Sequence, residues 1–167
     1  MRPELKPNLA IARKLYPVVK QKILDFTEFW DNNPNKAELK HDEVKSDLEK
    51  LTGKNLAEFN LWEYWEADGI ENLSFRISLP DPIRISDFKK NELMEVLVKI
   101  KTFENPEKYE DDEIAMQNWA NESSYFQKLI DINFVNYQHK YFNQNKDKNG
   151  NYFEYTVDEI SDFIWRE

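Results

Sequence analysis

The chain is expected to adopt an α+β fold that is predominantly helical, with about six or seven helices, one short strand and a C-terminal β-hairpin. Three observations carry this expectation. Apolar residues recur at steps of three and four along most of the chain, one segment alternates with period two, and aromatic-rich segments flank an Asn-Gly pair near the C-terminus.

Val19, Ile23, Phe26 and Trp30 share one helix face with Leu15 a turn earlier, and Asn32-Asn33-Pro34 ends that helix. Asn35 and Glu38 have capping-box spacing before a helix whose buried face is Val44, Leu48 and Leu51, with Gly53 as its C-terminal cap. Asn55 and Glu58 repeat the spacing and predict a short helix carrying Leu56, Phe59, Trp62 and Trp65, closed by a turn at Asp68-Gly69. Leu73, Phe75, Ile77 and Leu79 alternate with polar residues, the period of a strand buried on one face. Pro80 and Pro82 then interrupt regular structure.

Leu93, Val96, Leu97 and Ile100 predict the next helix. Beyond Pro106, the acidic run Glu110-Asp111-Asp112-Glu113 suits a helix N-terminus, where free backbone N–H groups favour negative charge. Ile114 and Trp119 follow, then Phe126, Leu129 and Ile130, with a break expected near Asn121. Tyr137 to Phe142 and Tyr152 to Tyr155 are the expected hairpin strands around a polar loop containing Asn149-Gly150. Thr156 and Glu159 give a third capping box, opening a last helix with Val157, Ile160 and Ile164 on its apolar face.

With 167 residues, one domain spanning 1–167 with one core is expected, and its 11 Phe, 8 Tyr and 5 Trp must supply much of the buried volume. The absence of cysteine excludes disulfides, thiolate catalysis and Cys-type zinc sites, and suits a reducing, cytoplasmic setting. No stretch approaches the length of a spanning helix, and the N-terminal residues lack the apolar core of a signal peptide. The net charge of -9 opposes nucleic acid and anionic membranes, so the expected partner is a basic protein. Residues 1–54 hold 11 basic and 9 acidic residues, whereas 55–131 hold 8 basic and 17 acidic, which places the field in the middle of the chain.

The chemistry-bearing candidates are few. Asn145, Asp147, Asn149 and Gly150 imitate the start of a calcium loop, but its twelfth position is Thr156 where a bidentate glutamate is needed, so a polar turn is expected. His41 lies in a charged run that suits a solvated helix face, and His139 sits among aromatics where a partly buried imidazole could titrate near neutrality. Glu58, Glu63, Glu66 and Asp68 surround Trp62, Tyr64 and Trp65, the residue types of a small hydrolase acting on sugar. On the expected helix both tryptophans are core; an exposed one would instead be a contact anchor. The glycines are isolated, so there is no phosphate loop, and no cofactor or metal is expected. The run Glu104, Glu107, Glu110, Asp111, Asp112 and Glu113 is the candidate partner-binding surface, since clustered carboxylates speed the approach of a basic partner without any chemistry.

Ile85-Ser86-Asp87-Phe88, followed by Glu92-Leu93, Glu95-Val96 and Ile100, resembles the opening helix of the nuclease-colicin immunity proteins, and an acidic helix follows at a similar distance. The resemblance covers about one tenth of the chain. It departs from the family at Lys89, where a threonine cap is usual, and in lacking the paired tyrosines of the family's next helix. It implies a non-enzymatic, cytoplasmic protein that neutralises a basic toxin domain through an acidic surface. The composition suits immunity proteins of other bacterial toxin systems equally. A hydrolase using carboxylates of residues 58–68 or His139, and a structural or regulatory subunit, are the alternatives that the residues leave open.

Overall fold

The computed structural model describes residues 1–67, 69–102 and 104–165. Among them are seven α-helices and one two-stranded sheet: α1 (Leu9–Asn32), α2 (Ala37–Thr52), α3 (Tyr64–Ala67), α4 (Gly69–Ser78), α5 (Lys90–Lys101), α6 (Glu113–Asn133), β1 (Asn145–Lys146), β2 (Tyr152–Phe153) and α7 (Val157–Ile164). The fold is therefore predominantly helical α+β. No helix of the described residues is long and apolar enough to cross a membrane.

The chain forms two compact units. An acidic unit comprises Pro7–Asp81 and Lys108–Asn118; a terminal unit comprises Met1–Lys6, Pro82–Glu107 and Trp119–Glu167. Buried apolar side chains gather in two clusters, one in each unit.

In the acidic unit, α1 buries Val19, Ile23 and Phe26, the face that its three-and-four spacing defines. It ends at Asn32, before Pro34. Pro34–Lys36 forms a 3-10 turn that runs straight into α2, so Asn35 does not cap that helix and the expected box with Glu38 is not formed. Val44 and Leu48 are buried, whereas Leu51 is left exposed, and Gly53 ends α2 at a φ of 72°.

The helix expected over 55–65 is absent except for α3. Asn55 Oδ1 accepts from Ala57 N (2.8 Å), and Asn60 Oδ1 accepts from Trp62 N and Glu63 N (2.9 and 3.1 Å). These asparagine side chains offer the backbone donors a local alternative to helix. Leu56 and Leu61 still reach the core. Asp68 lies outside the described residues, and Gly69, with a φ of 72°, begins α4.

Residues 73–79, expected as a strand, are helical to Ser78. Leu73, Ser74, Phe75, Ile77 and Ser78 are all buried, and α4 packs along α1. A helix enclosed around most of its circumference has no need of a one-sided apolar stripe, and here its small serines and large apolar residues imitate period two.

In the terminal unit, α5 buries Leu93, Val96 and Leu97. Lys89 N donates to Glu92 Oε2 (2.9 Å), half of a capping box; a lysine side chain has no acceptor with which to return the bond. Ahead of α5, Arg2 pairs with both carboxylate oxygens of Asp87 (3.0 and 2.9 Å) and with Glu92 (3.0 Å). The break expected at Asn121 does not occur. No proline or glycine lies between 113 and 133, so nothing in that polar stretch removes a backbone donor or adds the flexibility of glycine.

The hairpin is present but begins later than expected. Residues 139–142 are a 3-10 turn, and β1 pairs antiparallel with β2, Asn145 opposite Phe153 and Lys146 opposite Tyr152. Thr156 and Glu159 form the expected box at α7: Glu159 N donates to Thr156 Oγ1 (3.3 Å) and Thr156 N to Glu159 Oε2 (2.8 Å). Ile160 and Ile164 complete the core.

Candidate functional site

The net charge divides unequally. The acidic unit carries 11 basic and 18 acidic residues, a net of -7, against 12 and 14 in the terminal unit, a net of -2. The acidity that appears spread over residues 55–131 in the sequence therefore belongs mainly to one folded unit, whose stretches 55–81 and 108–118 hold 10 acidic and 2 basic residues, while its residues 7–54 are near balance with 8 acidic and 9 basic.

The six carboxylates expected to act as one surface have different fates. Glu104 and Glu107 belong to the terminal unit, the other four to the acidic unit. Glu104 accepts from Lys99 Nζ (2.7 Å), and its carbonyl accepts from the Trp119 indole (2.8 Å). Glu107 accepts from the Asn105 side-chain amide (2.9 Å).

Asp112 takes two bonds from the Arg13 guanidinium and one from Ala115 N (3.0 Å), which makes it the cap of α6. Glu113 pairs with Lys20 (3.0 Å), which also holds Glu71 (3.1 Å). Burial opposes the charge on Lys20, but hydrogen bonds to Glu113, Glu71 and Tyr16 outweigh it and hold its pKa above the ordinary value. Burial, reinforced by Glu113, pushes the Tyr16 hydroxyl up to about 12. Glu110 and Asp111 remain exposed, with no ion-pair partner among the described residues.

The Arg13 guanidinium, followed by Ala115 N–H, holds the Asp112 carboxyl below its ordinary pKa. A carboxylate depressed in the folded state stabilises it at pH values above the unfolded pKa, about 3.9, and loses that contribution as pH falls through the lower folded value. The melting temperature should therefore fall below about pH 4, and Asp112→Asn should flatten that decline relative to wild type. Parallel acid limbs in the two thermal-melt series would contradict this assignment.

A second feature of the acidic unit is an aromatic patch. Trp62 stacks on His41 (centroids 4.7 Å, interplanar 14°) and meets Trp30 edge-on (4.7 Å, 89°). Beneath them Phe26, 1% exposed, touches Trp62 (5.2 Å), His41 (5.8 Å) and Trp30 (6.4 Å). Trp65 leans on Trp30 (6.0 Å) and on the Tyr64 ring (5.4 Å), yet is 53% exposed. The expectation that Trp62 and Trp65 are both core is thus corrected: Trp62 is half-buried, and Trp65 is an exposed ring resting on other rings, because residues 55–63 turn ahead of α3 instead of forming one helix with it.

The histidines exchange their expected places. His41 is half-buried in the patch, its Nδ1 3.2 Å from Asp42 Oδ1, whereas His139 is exposed on the 3-10 turn. Glu58, Glu63 and Glu66 are all exposed; Asp68 lies outside the described residues. Two cavities of the terminal unit, about 390 and about 500 Å³, share Lys99, Thr102 and Glu104 in their walls and include none of these carboxylates. Glu122 lines the smaller one, its carboxyl pushed up by burial and by Glu104 against the opposing field of Lys99.

At the hairpin, Asp147 Oδ1 accepts from Asn149 N and Asn151 N (both 2.8 Å). These backbone donors and the Asn151 amide occupy the carboxylate that would begin a calcium loop, and Thr156 is committed to its cap. The described residues contain no group of three or more His, Asp or Glu placed to hold a metal ion.

No family model, curated protein or solved structure matches this chain. The Trp30–His41–Trp62–Trp65 grouping is scarcely legible in the sequence because its members come from α1, α2 and the 61–67 segment. The one legible signal was Trp30 continuing the Phe26 face at the very end of α1.

Proposed function

We propose that the chain is a non-enzymatic, cytoplasmic binding protein that captures a basic protein through the carboxylates of its acidic unit, as an immunity protein captures a basic toxin domain. The observation that carries this reading is the concentration of charge, a net of -7 in one unit, with Glu110 and Asp111 left exposed beside neighbours that are already paired. Asp112 and Glu113 are neutralised by Arg13 and Lys20, so their work is to hold α1 against the start of α6. Glu110 and Asp111 have no such task, and a field of this sign accelerates encounter with a cationic surface.

The test is affinity capture from the native host with the purified chain as bait, followed by mass spectrometry and a salt series on the captured protein. A basic protein should be retained, and its affinity should fall at least about ten-fold between 50 and 500 mM salt, as the screening length shortens. Glu110→Gln with Asp111→Asn should weaken capture at low salt and flatten that dependence. Salt-insensitive binding, or undiminished capture by the double variant, would refute the charge mechanism.

A further inference from the structure

Resting on the basic-partner reading, we propose that the exposed face of Trp65, supported by Trp30 and Trp62, is the docking site for an arginine side chain of that partner. Three observations converge on this occupant. The first is rigidity: Trp65 leans on Trp30, which meets Trp62, which stacks on His41, and all but Trp65 touch the buried Phe26. A ring held in this way loses little conformational freedom on binding, the property that makes tryptophan effective at the centre of interfaces.

The second is vacancy. Cation–π contacts among the described residues lie on the rings of Tyr16, Phe29, Phe59, Tyr141 and Tyr152, and none lies on Trp30, Trp62 or Trp65. Indole attracts cations more strongly than phenol or benzene rings do. Lys40, next to His41 in the sequence, is held by Glu43 (3.0 Å) and lies over Phe29.

The third is charge. Asp31 follows Trp30, Asp42 meets the His41 ring, and Glu63 and Glu66 flank Trp62 and Trp65. All four are exposed, and none is paired with a lysine or arginine among the described residues. A planar guanidinium can stack on the indole while its edge N–H groups reach carboxylates, which a lysine ammonium cannot do with the same geometry. A neutral sugar or the apolar face of a second copy would leave these exposed carboxylates unused.

Calorimetric titration with acetylated, amidated tetra-arginine at about 50 mM salt tests the assignment. Wild type should bind it more tightly than tetralysine of equal charge, and Trp65→Ala should weaken tetra-arginine binding about ten-fold. Trp65→Phe should fall between them. Tyr152→Ala should change nothing, since that exposed ring already carries Lys146 at 4.7 Å. Far-UV circular dichroism and melting temperature should show that the Trp65 variants remain folded.

Equal tetra-arginine binding by wild type and Trp65→Ala would overturn the aromatic site while leaving the acidic reading intact. Failure of every form to bind either peptide would overturn the basic-partner reading itself. Binding of cellohexaose that depends on Trp65, or self-association in the ultracentrifuge that Trp65→Ala abolishes, would assign the face to another occupant.

Discussion

Phe26→Ala is expected to lower the stability of the chain by about 3–5 kcal/mol, through lost transfer free energy and the cavity left behind. The side chain is 1% exposed and touches Trp30, His41 and Trp62, which come from α1, α2 and the segment before α3. Removing it withdraws the base shared by three elements, and the surrounding rings are too large and flat to collapse into the gap. Chemical denaturation followed by tryptophan emission measures both consequences, a lower midpoint and a red-shifted native spectrum. By comparison, Trp65→Ala removes a ring already half in water and should cost about 1 kcal/mol or less. A loss below about 1 kcal/mol for Phe26→Ala would mean that the cluster does not rest on this residue.

The second large effect separates helix from strand at residues 73–79. On a strand, Ser74, Arg76 and Ser78 would face water, and Ser74→Glu would be harmless. On α4, Ser74 is 0% exposed, its Oγ has no hydrogen-bond partner among the described residues, and its carbonyl accepts from Ser78 Oγ (2.7 Å). Ser74→Glu must then bury a carboxylate, which costs several kcal/mol, a large part of the roughly 5–15 kcal/mol that stabilises a typical domain. The variant should be unfolded or insoluble at 25 °C. Ser74→Ala should raise stability by about 1 kcal/mol, because it removes an unsatisfied buried hydroxyl and improves helix propensity. A soluble, fully stable Ser74→Glu variant would show that this position is not enclosed.

Local signals proved reliable where a single element decides the outcome. The apolar faces of α1 and α5, the stop at Asn32 before Pro34, the glycine cap at Gly53 and the Thr156–Glu159 box all depend on residues within a turn or two of each other. They failed where a competing local bond or a distant neighbour decides. Asn55 and Asn60 draw the backbone into turns where the spacing suggested helix, and α4 is enclosed on most sides, so its pattern carries no information about a solvent face.

The candidate site divides in the same way. Acidity, the lack of cysteine and the aromatic richness were legible from composition. Which carboxylates stay unpaired was not, because Arg13 and Lys20 lie about a hundred positions from Asp112 and Glu113. The sequence by itself determined the helical class, the ends of α1 and α2, the starts of α6 and α7, and the sign of the field. Only the tertiary structure decided that the charge gathers in one unit, that Asp112 and Glu113 are consumed by ion pairs, and that Trp65 faces water on a base of other rings. Periodicity and caps are properties of neighbouring residues, whereas pairing and exposure depend on which distant segments the fold brings together.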